Sequence, residues 1–142
     1  MTYQSNGTTI INTNRVFANL AGYNTNVANL GNQVGSSTTN LNVNTGSCFV
    51  MNFTTDHTSA KTLAFTNIPA GECLEAVIFV TNSTGSGATP GALSIIASGW
   101  TVRSTDGQGW QKPLNGQQDA YSVFFFGPTS EMFVTYAMRN IS

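Results

Sequence analysis

The chain has few charged side chains. Asp, Glu, Lys and Arg make up 8% of its 142 residues and leave a formal net charge of −1, whereas they are roughly 25% of an ordinary soluble domain. The five basic residues are scattered and form no cluster: Arg15, Lys61, Arg103, Lys112 and Arg139. Nucleic acids and acidic membranes attract proteins through dense positive charge. The sequence therefore predicts no nucleic-acid partner and no membrane partner.

Residues that perform catalysis or bind metals are equally scarce. His57 is the only histidine, and Asp56 beside it cannot orient its ring as the acid of a catalytic triad does from across a fold. Among the six acids only Glu72 and Glu75 are near neighbours, and they straddle the start of a predicted strand. No spacing of His, Cys and acidic residues matches a metal site. We predict a protein that is not an enzyme, with no catalytic residues, no cofactor and no metal.

Long apolar runs are missing as well. No run approaches the roughly 20 residues of a membrane-spanning helix. The first residues, MTYQSNGTTII, lack the basic region and apolar stretch of a signal peptide. We therefore expect the protein to fold in a cytoplasm, where its two cysteines, Cys48 and Cys73, are more often reduced thiols than a disulfide.

Apolar residues nevertheless make up 40% of the chain, with nine Phe, four Tyr and two Trp. From Asn40 onward they follow the two-residue period of β-strands, separated by Gly, Pro, Asn and Asp turn signals. The longest such segment, CLEAVIFVTN, places Leu74, Ile78 and Val80 on one face and is apolar on both faces in its second half, which indicates a central strand. The sequence predicts an all-β domain over residues 40–142, folded as an antiparallel, jelly-roll-like β-sandwich.

The first 39 residues have a different pattern. Six apolar residues follow each other at alternating spacings of four and three, as in the seam between packed helices: Val16, Leu20, Tyr23, Val27, Leu30 and Val34. The residues between them are mostly Asn, Thr and Gly, which are poor helix formers. Such a segment gains stability only by packing on something else. We predict that residues 1–39 are an N-terminal arm, either extended or a short bundle-forming helix, which uses these six residues for assembly and docking.

A set of aromatic residues offers a different kind of site. Trp100, Trp110, Tyr121 and Tyr136 lie among Asn, Gln and Ser residues, a combination that suits stacking on sugars or packing against another protein. The alternative is that Tyr121 and Tyr136 belong to the core or to strand edges.

Several stretches resemble a pattern in small β-rich domains of tailed-bacteriophage virion proteins. They are LGNQVGSSTTNLNVNTGSCFVMNFT, TLAFTNIPAG, AVIFVTN and DAYSVFFF, and the resemblance covers about residues 30–127. Such domains occur in capsid decoration (cement) proteins, head fibres and tail fibres, typically as homotrimers. After Phe126 the sequence GPTSEMFVTY departs from the pattern, which puts a receptor-binding tip in doubt.

The resemblance implies a non-enzymatic structural protein located in the virion. Its partners would be further copies of itself in a homotrimer and the major capsid protein or another virion protein, with the arm as the docking element. The alternative is a tail-fibre module that binds a carbohydrate or receptor, with a host-surface glycan stacked on Trp100, Trp110 or Tyr121.

Overall fold

The computed structural model describes residues 26–34, 36–56, 58–104 and 109–141. This part of the chain contains ten β-strands, one short 3-10 helix at Gly127–Thr129 and no α-helix. No helix within it could span a membrane. The strands are β1 (Val27–Gln33), β2 (Thr38–Asn42), β3 (Cys48–Phe53), β4 (Lys61–Thr66), β5 (Cys73–Asn82), β6 (Ala92–Ala97), β7 (Thr101–Arg103), β8 (Trp110–Gln111), β9 (Gln118–Phe126) and β10 (Glu131–Ile141).

The strands form a six-stranded sheet in the order β1-β3-β5-β9-β10-β7 and a four-stranded sheet in the order β2-β4-β6-β8. Both sheets are mixed. The β1–β3, β3–β5, β2–β4, β4–β6 and β10–β7 pairs are parallel, and the β5–β9, β9–β10 and β6–β8 pairs are antiparallel. The all-β class is thus confirmed, whereas the expected antiparallel pairing is wrong for five of these eight pairs.

The parallel pairs arise from the way the chain winds. From β1 to β6 it crosses to the opposite sheet after every strand, so the next strand in the same sheet runs in the same direction. Successive windings also touch through their turns. A Cβ atom at Gly46 would collide with the backbone carbonyl of Asn26, and one at Gly91 with the carbonyls of Thr58 and Ser59. Glycine at these two positions lets successive windings of the chain pack closely on each other.

The inner faces of the two sheets share one hydrophobic core. Phe65 of the four-stranded sheet packs edge-to-face on Phe49 and Phe125 of the six-stranded sheet, with ring centroids 5.7 and 4.9 Å apart. Strand β5 lies between β3 and β9, and Ile78 in it is fully buried. The prediction of a central strand at CLEAVIFVTN is therefore confirmed.

The predicted arm overlaps these sheets. Strand β1 pairs with β3 and strand β2 pairs with β4, so residues 27–33 and 38–39 are part of the two-sheet structure. A helix at residues 27–33 is therefore wrong, because their backbone groups pair with a neighbouring strand. Val16, Leu20 and Tyr23 lie outside the described residues, and their predicted role stays a prediction.

Candidate interaction surfaces

The outward side of the six-stranded sheet is rich in apolar side chains. Because side chains alternate along a strand, those opposite the core lie on this side. Strand register aligns them in rows across the sheet. We call this surface the aromatic face; its apolar members are Val27, Cys48, Val50, Cys73, Val77, Phe79, Phe124, Phe126 and Phe133.

The aromatic face has large exposed rings at the end where β9 turns into β10. Phe124, Phe126 and Phe133 are 36%, 37% and 40% exposed, and the rings of Phe124 and Phe133 are 6.4 Å apart on neighbouring strands. Val27 at the far edge is 60% exposed. Exposed apolar side chains clustered on a folded domain often mark a site of interaction with another protein.

The outward side of the four-stranded sheet is chemically different. Only Ile96, at 43% exposure, is a large exposed hydrophobic residue there. The other outward residues are small or polar. We call this surface the polar face; it comprises Thr38, Asn40, Asn42, Thr62, Ala64, Thr66, Ala92, Ser94, Ile96 and Gln111.

Charged groups lie at one end of the aromatic face. Arg103 and Glu131 form an ion pair with 3.1 Å between Nη2 and Oε1. The hydroxyl of Thr129 donates a 2.8 Å hydrogen bond to the Glu131 carboxylate. This hydroxyl and the Arg103 guanidinium lower the pKa of Glu131 below its usual value. Glu75 pairs in register with Phe124 and is exposed, so the rings are bordered by acidic groups on two sides.

Two of the three predicted ligand-stacking residues are in the core. Tyr121 is fully buried and its hydroxyl donates a 3.1 Å hydrogen bond to the Gln111 carbonyl, and this burial raises the pKa of Tyr121. Trp110 is only 3% exposed. Neither ring has a free face, so a stacking role for them is wrong. Trp100 is half-buried, with its ring edge-to-face on Phe125 at 5.3 Å.

The described members of the predicted docking seam do not share a surface. Val27 lies on the aromatic face, Leu30 packs against the core beside a β-bulge, and Val34 follows the end of β1 with 59% exposure. In a strand, a spacing of three places two residues on opposite sides, whereas in a helix residues spaced by three and by four share one side. The seam residues 27–34 are therefore not one docking face.

The exposed phenylalanines are functional candidates that sequence reasoning missed. In AYSVFFF, Val123 and Phe125 face the core, while Phe124 and Phe126 are apolar although they face outward. Alternation predicts polar residues at such positions when one side of a sheet meets water. The run of three phenylalanines thus indicates a strand that is apolar on both sides.

The acidic residues and cysteines of the described ranges form no metal-binding cluster. His57 lies outside them, and no group of three or more Cys, Asp and Glu residues within them could hold a metal ion. Asp56 is engaged locally, since its carboxylate accepts hydrogen bonds from the Ser59 and Thr58 hydroxyls, which lower its pKa. Lys112 donates to the backbone carbonyls of Asp56 and Ser59 at 3.3 and 2.6 Å. These contacts fix the loop between β3 and β4.

Comparisons with family models, with curated proteins and with solved structures found no match.

Proposed function

We propose that this chain is a non-enzymatic structural protein of a tailed-bacteriophage virion, most specifically a capsid decoration protein. It would form homotrimers and bind the major capsid protein or another virion protein. The sequence resemblance over residues 30–127 suggests this class, and the aromatic face is the single structural observation that carries it. The finer fold prediction, a β-sandwich like those of such domains, belongs to this proposal and is supported by the one core between two sheets.

The chemistry of the aromatic face suits association with protein. The centres of protein interfaces are enriched in aromatic residues and depleted of charge. Three exposed phenylalanines on neighbouring strands fit the aromatic part of that composition, with the charged residues Glu75, Arg103 and Glu131 beside them as a rim. Burying them stabilises an assembly at roughly 25 cal/mol per Å² of apolar surface removed from water. Contact with water does not favour aromatic side chains on the outward surface of a sheet.

The proposed docking element therefore differs in part from the N-terminal arm that the sequence predicted. We expected residues 1–39 to dock as an arm, but Val27 at the edge of the aromatic face is the described residue of that segment best placed to contribute. We propose that the aromatic face is the main docking surface. A docking role for Val16, Leu20 and Tyr23 stays a prediction.

The alternative, a carbohydrate- or receptor-binding fibre module, loses most of its support. Burial removes Trp110 and Tyr121 as stacking platforms, and Trp100 is left as the one candidate among the three. A glycan array on the whole protein tests it. Binding that disappears in Trp100→Ala would favour the fibre module over the decoration protein.

The proposed function is tested by adding purified protein to virions prepared without it. Phe133→Asp places a charge in the aromatic face, and Ile96→Asp places one at similar exposure, 43% against 40%, in the polar face. We expect Phe133→Asp to weaken binding roughly 30-fold or more, the loss typical of an interface hot spot. Ile96→Asp should bind like the wild type.

Two results would contradict this proposal. One is wild-type protein that does not add to the particles. The other is equal occupancy for Phe133→Asp and wild type. Circular dichroism and melting curves of both variants check that each is folded.

A further inference from the structure

One row of residues crosses the aromatic face with an opposite charge at each end. It runs over the neighbouring strands β5, β9, β10 and β7, and its members, in register, are Glu75, Phe124, Phe133 and Arg103. All four residues are exposed. Because neighbouring strands are about 4.8 Å apart, the acidic and basic ends of the row are separated by roughly 14 Å. The row therefore has an acid, two aromatic rings and a base in that order.

This order is complementary to itself. A two-fold rotation about an axis parallel to the strands, midway between β9 and β10, produces a second copy whose row faces the first in reverse order. Glu75 of each copy then faces Arg103 of the other, and Phe124 of each copy faces Phe133 of the other. In a two-fold contact between identical chains, residue i meets residue j and residue j meets residue i. The row of the aromatic face meets this condition.

Both charged ends of the row are accessible to another chain. Glu75 lies two residues before Val77, where the pairing of β5 with β3 begins, so it is at the margin of the sheet. The Arg103 side chain is 58% exposed although its Nε and Nη2 donate to Oε1 of Glu131 at 3.2 and 3.1 Å. A guanidinium group carries five N–H donors. Arg103 can therefore bind a second carboxylate while it keeps the first.

The rows on either side are compatible with the same rotation. On one side Ser122 pairs in register with Thr135, so the rotation places the hydroxyl of each opposite that of the other across the contact. On the other side Phe126 pairs in register with Glu131, and each would face the other across the contact. The Glu131 carboxylate keeps its hydrogen bonds within its own chain. The contact therefore buries no unpaired charge, which would be costly.

We propose that the aromatic face also binds a second copy of this chain in a two-fold contact, with Glu75 of each copy paired with Arg103 of the other. The inference rests on the proposed function only in taking the aromatic face as an interaction surface. A three-fold homotrimer is a different assembly, since its contacts join two different surfaces. Because the row spans only about 14 Å, the interface is small and the dimer is weak. The dimer and the particle compete for the same face.

Complementary charge reversals test the contact in the purified full-length protein, without particles. Sedimentation equilibrium at concentrations up to about 1 mM should show a reversible monomer–dimer equilibrium for the wild type. Glu75→Lys and Arg103→Glu each place like charges at both ends of the contact, so each variant alone should associate about tenfold more weakly. An equimolar mixture of the two variants should regain the wild-type association, because both ends of a mixed dimer carry opposite charges. Ser94→Lys, an exposed control on the polar face, should associate like the wild type.

Three outcomes would overturn the inference. They are a wild type that stays monomeric, a wild type that forms trimers, and a mixture that associates as weakly as its two components. None of them bears on the proposed function, which is tested by binding to particles. Protein that dimerises as described but does not add to particles would support this inference and contradict the proposed function.

Thiol labelling gives a second readout that does not depend on the folding of the charge-reversal variants. Cys73 is exposed on the aromatic face, two residues before Glu75 on the same strand. In a Cys48→Ser protein its labelling rate should fall about fivefold between concentrations well below and well above the dissociation constant, because the contact excludes the reagent. Ser94→Cys with Cys48→Ser and Cys73→Ser should be labelled at one rate throughout. A labelling rate at Cys73 that is independent of protein concentration would contradict the dimer.

Discussion

The outward sides of the two sheets differ although their inward sides contribute to the same core. Ile78 and Ile95, one from each sheet, are equally buried inside. Outside, the six-stranded sheet carries three exposed phenylalanines, whereas the four-stranded sheet carries Thr, Ser, Asn and Ala with a single isoleucine. Folding explains the inward sides of both sheets. It does not explain the rings on the aromatic face, and we propose that association with protein does.

The difference between the two outward sides is visible in the sequence only at single positions of each strand. Both sheets contain parallel and antiparallel pairs and both alternate strictly near their centres. Strand β4 places Thr62, Ala64 and Thr66 outward, while β9 places Phe124 and Phe126 outward. Only the outward residue of each alternating pair distinguishes the polar face from the aromatic face.

The largest effect is expected from truncating the shared core. Ile78→Ala and Ile95→Ala should each lower the free energy of unfolding by about 2–5 kcal/mol, the usual range for a buried aliphatic side chain. Thr81→Ala, a change at a half-buried position whose hydroxyl accepts a hydrogen bond from Gln118, should cost well under half as much. Denaturant unfolding measures all three. Similar decreases in the free energy of unfolding for Thr81→Ala and Ile78→Ala would show that the protein is sensitive to any substitution, and would not support a common core.

A smaller effect is expected at Lys61, the charged residue on the inward side of the four-stranded sheet. Its ammonium group donates 2.9 Å hydrogen bonds to the Val34 carbonyl and the Ser37 hydroxyl. Lys61→Met would leave the carbonyl without this donor and should cost about 1–3 kcal/mol in the free energy of unfolding. Thr62→Val, its outward neighbour on the polar face, should change that energy by less than about 0.5 kcal/mol. An unchanged free energy of unfolding in Lys61→Met would show that the hydrogen bonds of the Lys61 ammonium group do not stabilise the fold.

The smallest effect is expected at the margin of the aromatic face. The pKa of Glu131 is lowered in the folded protein, so its contribution to stability is present above the pKa of the unfolded chain and is lost as the pH falls through the folded value. Glu131→Gln should therefore reduce the dependence of the unfolding midpoint on pH below about 4.5. Melting curves between neutral pH and pH 3 measure it. A variant with the wild-type pH profile would show that the hydrogen bonds to Thr129 and Arg103 do not stabilise the fold.

The sequence was sufficient to predict the class of fold and its central strand. The alternation in CLEAVIFVTN requires only that two sides of a strand face different surroundings, and the structure confirms the buried side at Ile78 and Val80. Strand direction was predicted wrongly because parallel and antiparallel strands have the same alternation. Direction follows from which sheet the chain enters after each turn, and the glycine contacts at Gly46 and Gly91 that stack the turns are not visible in a local pattern.

The candidate site was harder to predict than the fold. The polar residues around Trp110 and Tyr121 in the sequence are compatible with stacking on a ligand, but the strands of these two residues direct both rings inward. The heptad spacing at residues 27–34 was misleading because an edge strand with a β-bulge accommodates apolar residues at irregular intervals. The outward phenylalanines were visible in the sequence, but assigning them to one surface required the register of β9 with β10.

The central claim, that the aromatic face is buried in an assembly, is tested most directly by thiol labelling. Cys73 is an exposed free cysteine on that face and aligns with Phe126. Its labelling rate should fall about tenfold or more when dilute monomer is converted into the particle-bound protein, because the centre of an interface excludes water and reagent. A Ser94→Cys variant with Cys48→Ser and Cys73→Ser reports on the polar face and should keep its rate. An unchanged rate at Cys73, or protection at position 94 instead, would contradict the account.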